Sequence, residues 1–136
     1  MKFKTIYGAT KSVKNPRHYL ISWDADSRSI FQTNIKNFLY KYWNSYVVFE
    51  EFPIPSTKLS LDFYNATKNI AVEVQGNQHI KYVPFFHNGR SDFLRQLRRD
   101  SVKEKFCELN DIKLVLIYQD DKVNIELFKE FNVDLI

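Results

Sequence analysis

Residues 59–79, LSLDFYNATKNIAVEVQGNQH, constrain the fold more than any other stretch. Two runs within them alternate in polarity, as strands do when successive side chains point to opposite faces. In the first, Leu59, Leu61 and Phe63 alternate with Ser60, Asp62 and Tyr64. In the second, Ile70, Val72 and Val74 alternate with Ala71, Glu73 and Gln75. The connection at 65–69 is short enough to predict a hairpin. Paired in that way, Asp62, Glu73 and Gln75 converge on one surface, opposite the apolar stripe. Two carboxylates and an amide beside a sheet make an oxygen-rich set suited to Mg²⁺, with Mn²⁺ as a substitute.

The flanking segments supply the rest of an α/β domain. Asp26 or Ser27 is the expected cap of a helix running to about Trp43, with Ile30, Phe31, Ile35, Phe38, Leu39 and Tyr42 at helical spacing. Tyr46 to Phe52 reads as a strand stopped by Pro53 and Pro55. Ser91 or Asp92 is expected to cap a long helix to about Leu109, with Leu94, Leu97, Phe106 and Leu109 inward. The run IKLVLIY at 112–118 reads as a strand buried on both faces, parallel to its partner because a helix leads into it. A terminal helix is expected near Val123 to Phe131. The sum is a mixed central sheet flanked by helices, in the order αβββαβ plus a C-terminal helix. Residues 1–22 lack a strong period and read as a basic N-terminal arm, leaving 23–136 as the folded domain.

Charge is unevenly spread. The net charge is +4, yet residues 1–20 hold Lys2, Lys4, Lys11, Lys14 and Arg17 and no acid. A second basic stretch lies at 90–105. Such a distribution is the electrostatic footprint of a nucleic-acid binder, with Lys11, Lys14, Arg17, Arg95, Arg98, Arg99 and Lys103 as candidate phosphate contacts. An ordinary solvated surface explains the same charges about as well. The one cysteine, Cys107, excludes an internal disulfide and a cysteine-based zinc site, and is expected to be a small buried residue of the second helix. The chain has no long apolar run or secretory h-region, so a soluble cytoplasmic protein with no membrane partner is expected.

The carboxylate pair points to phosphodiester cleavage, which needs charge neutralisation, an activated water and a stabilised leaving oxygen. Asp62 and Glu73 would hold the metal, with the Val74 carbonyl as a third ligand. Gln75 would orient water or phosphate, since an amide cannot serve as a base. His79, just past the strand, can act as general acid or base near neutral pH, though a surface-loop role is at least as common for such a histidine. Asp100 lies near the edge of its helix's buried stripe and can reach the end of the sheet. Spacing alone favours an ordinary helical pair with Lys103.

Together these residues resemble the PD-(D/E)XK, or restriction-endonuclease-like, nuclease superfamily. LSLDF to VEVQ is similar to its acidic motif, with Gln75 where lysine is usual. VEVQGNQH followed by RRDSVKEKFCELNDIKLVLIY resembles the very-short-patch-repair-like branch, which includes phage and giant-virus homing-type endonucleases. The resemblance covers about residues 46–118. It implies a restriction-endonuclease-like core, catalytic roles for Asp62, Glu73, Gln75, His79 and Asp100, Mg²⁺ as cofactor and double-stranded DNA as substrate. The branch also carries a glutamate near the start of the first helix, where this chain has Ile30. Gln32 is close by, and Glu50 and Glu51 end the next strand, so one of them is a candidate replacement. Cutting both strands takes two active sites, so a homodimer or higher homo-oligomer is a further expectation. The absent helix glutamate keeps a different class open, a nuclease-fold DNA-binding module without catalysis. An RNA-directed nuclease is a third.

Overall fold

The computed structural model describes the backbone of residues 1–76 and 90–136 and the side chains of residues 1–76 and 98–136. Its centre is a four-stranded mixed sheet of β3 (Val48–Pro53), β4 (Ser60–Asn65), β5 (Ile70–Val74) and β6 (Lys113–Ile117), in that order across the sheet. β3, β4 and β5 run antiparallel, whereas β6 joins β5 in parallel, as expected of a strand that follows a helix. The predicted hairpin at 65–69 is present, with Asn69 in the left-handed turn conformation at φ 58°. β6 differs from expectation. It is an edge strand in which Val115 and Ile117 are buried while Leu114 and Leu116 are only partly covered. A continuous apolar run therefore marked an edge with one fully packed face, not a strand buried on both.

Helices cover both faces. α1 (Ile30–Trp43) and α3 (Ile125–Lys129) bring Ile35, Leu39, Trp43, Leu127 and Phe128 against Val48, Phe63, Val72, Val115 and Ile117. On the opposite face α2 (Arg90–Leu109) brings Phe106 and Cys107 against Phe49, Phe52, Leu61, Tyr64 and Ala71. The cap of α1 is Ser29, whose side chain accepts the Gln32 amide at 3.0 Å, and not Asp26 or Ser27. Ser27 is engaged elsewhere: its hydroxyl donates to Glu50 and its amide donates to Thr33 Oγ1 at 2.9 Å. α3 is shorter than expected and is capped by Asn124.

The first residues, read as an arm, are built into this second core. β1 (Lys2–Lys4) and β2 (Thr10–Ser12) form a small antiparallel hairpin, followed by a 3₁₀ turn at Pro16–Tyr19. Phe3 inserts between Phe52, Tyr64 and Phe106, with ring centroids 5.7, 6.1 and 5.6 Å away. Val13 is buried beside it. The hairpin is also tied to the turn after α2, where the Asn110 side chain accepts from the Lys4 amide at 2.9 Å and donates to the Lys4 carbonyl at 3.0 Å. Among the described residues no helix is long and apolar enough to cross a membrane.

Candidate metal and phosphate site

The register of β4 with β5 sets Phe63 opposite Val72, and thereby Asp62 beside Glu73. Both carboxylates are buried, 1% and 2% exposed, on the sheet face covered by α2. A buried carboxylate must find donors or take up a proton. Asp62 Oδ2 accepts the Val74 amide at 2.7 Å and Oδ1 accepts Arg28 Nη2 at 3.0 Å. Glu73 Oε2 accepts Lys103 Nζ at 2.9 Å. Glu73 Oε1 is buried with no donor among the described residues. Burial, and then the neighbouring Asp62 charge, pushes the Glu73 carboxyl well above the ordinary carboxylate range, against the opposing pull of Lys103. A cation between the two carboxyls, or a proton shared by them, would meet that unpaired oxygen.

A second acidic pair adjoins the first. Glu51 lies mid-strand with φ 52°, a left-handed conformation costly for a residue with a Cβ. The bend interrupts strand alternation, so Phe49 and Phe52, three positions apart, share a face with centroids 4.9 Å apart. On the paired strand Leu61 and Tyr64 do the same, and Leu61 parts from Phe63. The expected single stripe of Leu59, Leu61 and Phe63 is therefore divided between the two cores. At the bend Gln32 Nε2 reaches both Glu50 Oε2 at 2.9 Å and Glu51 Oε1 at 3.1 Å. Lys36, itself 1% exposed, pairs with Glu50 Oε1 at 2.7 Å and donates to the Ser22 and Ala25 carbonyls. Ser60 Oγ donates to Glu51 Oε2 at 3.1 Å. Arg28 joins the two pairs, its Nε standing 3.4 Å from Glu51 Oε1 while its Nη2 holds Asp62.

The residues singled out in the sequence are distributed as follows. Asp62, Glu73 and Gln75 are buried, the two carboxyls are side by side, and Gln75 follows on the face of Glu73. Asp100 is half-buried on α2 one turn before Lys103, and its charge is felt by Tyr118, whose hydroxyl pKa is raised mainly by burial. Lys103 turns inward onto Glu73 and is not directed outward as a free phosphate contact. Lys11, Lys14, Arg17, Arg98 and Arg99 are exposed. The Arg95 side chain and all of His79 lie outside the described residues, as does the aromatic segment at 82–86. Ile30 starts α1 and is 83% exposed, so it contributes nothing to the acidic site, while Gln32 faces Glu50 and Glu51. Arg28 and Lys36 carried no signal that pattern reading used. Lys36 had one: it sits one residue after Ile35 and three before Leu39, on the inward stripe of α1.

Among the described residues no three acidic, histidine or cysteine side chains stand together as a metal cage. The donor set still suits Mg²⁺, which is commonly held by one or two carboxylates with water and substrate phosphate completing its octahedron.

The chain is similar to three viral proteins. Uncharacterized protein 094L of Frog virus 3 is 41% identical over 64 residues, covering 46% of this chain and 41% of the relative. Uncharacterized protein 307L of Invertebrate iridescent virus 6 is 35% identical over 57 residues, 42% of this chain and 29% of the relative. Uncharacterized protein 033L of Invertebrate iridescent virus 3 is 33% identical over 63 residues, 46% of this chain and 32% of the relative. Each match thus spans less than half of the curated relative concerned. No family model matches the chain, and no solved structure matches it.

Proposed function

We propose that the chain is a metal-dependent endonuclease of the PD-(D/E)XK type that hydrolyses phosphodiester bonds in double-stranded DNA. The observation that carries this reading is the buried Asp62–Glu73 pair, whose Glu73 Oε1 has no donor among the described residues. A fold that needed only packing would place apolar side chains there, because buried charges without full compensation are costly. Exposed Arg98 and Arg99 on the same helix as Lys103, and Lys11, Lys14 and Arg17 near the N-terminus, supply sequence-independent affinity for the backbone. The viral relatives suit a viral or mobile-element setting.

In this reading Asp62, Glu73 and the Val74 carbonyl would hold Mg²⁺ or Mn²⁺. Such an ion supplies charge neutralisation at the phosphate and eases ionisation of the attacking water. Lys103 stabilises the Glu73 carboxylate once its proton has left. Gln75 orients the water or a phosphate oxygen from the same face as Glu73. The water oxygen bonds to phosphorus as the bond to the leaving sugar oxygen breaks. One water proton ends on that leaving hydroxyl and the other is lost from the new phosphate monoester or retained by it. His79 and Asp100 remain the proposed proton-transfer pair.

The test is cleavage of supercoiled plasmid by purified protein with Mg²⁺, with Mn²⁺ and with EDTA, beside Asp62→Ala. Metal-dependent cutting is expected in the wild type. The variant should lose at least ~10²-fold in rate, as when a group stabilising the transition state is removed, while DNA binding persists. Cutting by Asp62→Ala at the wild-type rate would overturn the assignment. DNA binding without cutting in either metal would favour the catalytically inactive module, and faster digestion of RNA would change the substrate. Linear rather than nicked product would support a homodimer.

A further inference from the structure

Arg28 is placed unlike the other cations of the acidic site. Lys36 and Lys103 are enclosed, with side chains 2% and 18% exposed, and their removal would leave carboxylates stranded inside the fold. The Arg28 side chain is 66% exposed, yet it reaches in from solvent to Asp62 at 3.0 Å and to Glu51 at 3.4 Å. It is also the wall between two open clefts. One, of about 410 Å³, is bordered by His18, Ser27 and Glu51; the other, of about 500 Å³, by Ser29, Gly76 and Gln119; Arg28 lines both. The two clefts thus meet at Arg28, directly above the Asp62 carboxylate that it holds.

Resting on the nuclease reading, we propose that these two clefts are one groove for a nucleic-acid strand and that Arg28 is its phosphate ligand. In the free protein its planar fork is held by Asp62 and Glu51, one carboxylate oxygen on Nη2 and one on Nε, and such a fork also matches two oxygens of a phosphate. A backbone phosphate entering the groove takes the fork over, and Asp62 loses its guanidinium partner and is left free to take a cation. Arg28 and a cation at Asp62 therefore compete in the free protein, and the arriving strand relieves that competition. The exchange is an ion-pair swap, with no covalent bond made or broken.

Two titrations of the full chain test this. The first is duplex DNA binding in EDTA across a range of salt, comparing wild type with Arg28→Gln and Arg28→Lys. The glutamine variant is expected to bind several-fold more weakly, with a salt slope smaller by about one released counterion. The lysine variant should keep the slope and lose less affinity. The second is Mn²⁺ binding without DNA by calorimetry, where Arg28→Gln is expected to bind several-fold tighter than wild type and Asp62→Asn not to bind. Circular dichroism establishes that each variant is folded, and the lysine variant carries the test if the glutamine one is not. Wild-type DNA affinity and slope in both Arg28 variants would overturn the groove. Unchanged Mn²⁺ affinity in Arg28→Gln would overturn the competition. If no form of the protein binds Mn²⁺ while DNA affinity still falls at Arg28, the metal centre fails and the groove stands.

Discussion

Burial raises the proton affinity of Glu73, and that has a measurable consequence for the fold. Its folded-state pKa lies above the unfolded value, so its protonated form is fully supportive below about pH 4, where both states are protonated. That support is lost as pH climbs through the folded pKa. Glu73→Gln copies the protonated shape without the titration. The variant is expected to match wild-type stability near pH 4 and to melt higher at pH 8, by roughly 3 °C for each kcal/mol relieved. Thermal melts of both proteins across that range check it; equal melting at pH 8 would mean that the Lys103 pairing fully offsets the desolvation. Cys107, beside this site, has its thiol pushed up to about 12 by burial and is expected to resist alkylation in the folded state. Glu73 was legible because β5 alternates regularly, and Asp62 because the hairpin register sets it opposite Glu73. The Arg28, Gln32 and Lys36 contacts were not, since they depend on where α1 begins and on the bend at Glu51.

At the level of elements, the bend in β3 decides the architecture of the acidic site. A left-handed residue in a strand is usually announced by glycine or asparagine, and Glu50-Glu51-Phe52 carries no such cue. Alternation alone therefore misassigned Leu61. Glu51→Gly is expected to be close to neutral, within about 1 kcal/mol, because relief of the backbone offsets the lost Gln32, Ser60 and Arg28 contacts. Glu51→Val should destabilise by about 2 kcal/mol or more, since a β-branched residue at positive φ is strained and the contacts are lost as well. Urea denaturation of the two variants separates these outcomes. The helix boundary shows a similar limit. Ser27 and Ser29 are equally good caps in sequence, and only the competing Glu50 and Thr33 bonds remove Ser27 from the choice. The β1–β2 hairpin escaped notice because its strands are three residues each, too short to show a period.

For the molecule as a whole, the sheet separates two cores, and the N-terminal hairpin belongs to one of them. Phe3→Ala is expected to cost about 3–5 kcal/mol, the range for emptying a buried phenylalanine site, and the loss is readable as a lower urea midpoint. A loss under 1 kcal/mol would mean that the hairpin docks only loosely. Mixed topology, helices on both faces and the parallel last strand could all be read from element order. The hairpin's docking could not, because it rests on contacts with residues far away in sequence, on β3, β4 and the end of α2. Asn110 is the clearest of these, pairing through its side-chain amide with both backbone groups of Lys4 across 106 positions of sequence. Contacts of such separation close late in folding. On the ribosome, the site of Phe3 therefore stays incomplete until Phe106 and Asn110 have followed it out of the tunnel, a window in which a chaperone or another nascent chain can capture it.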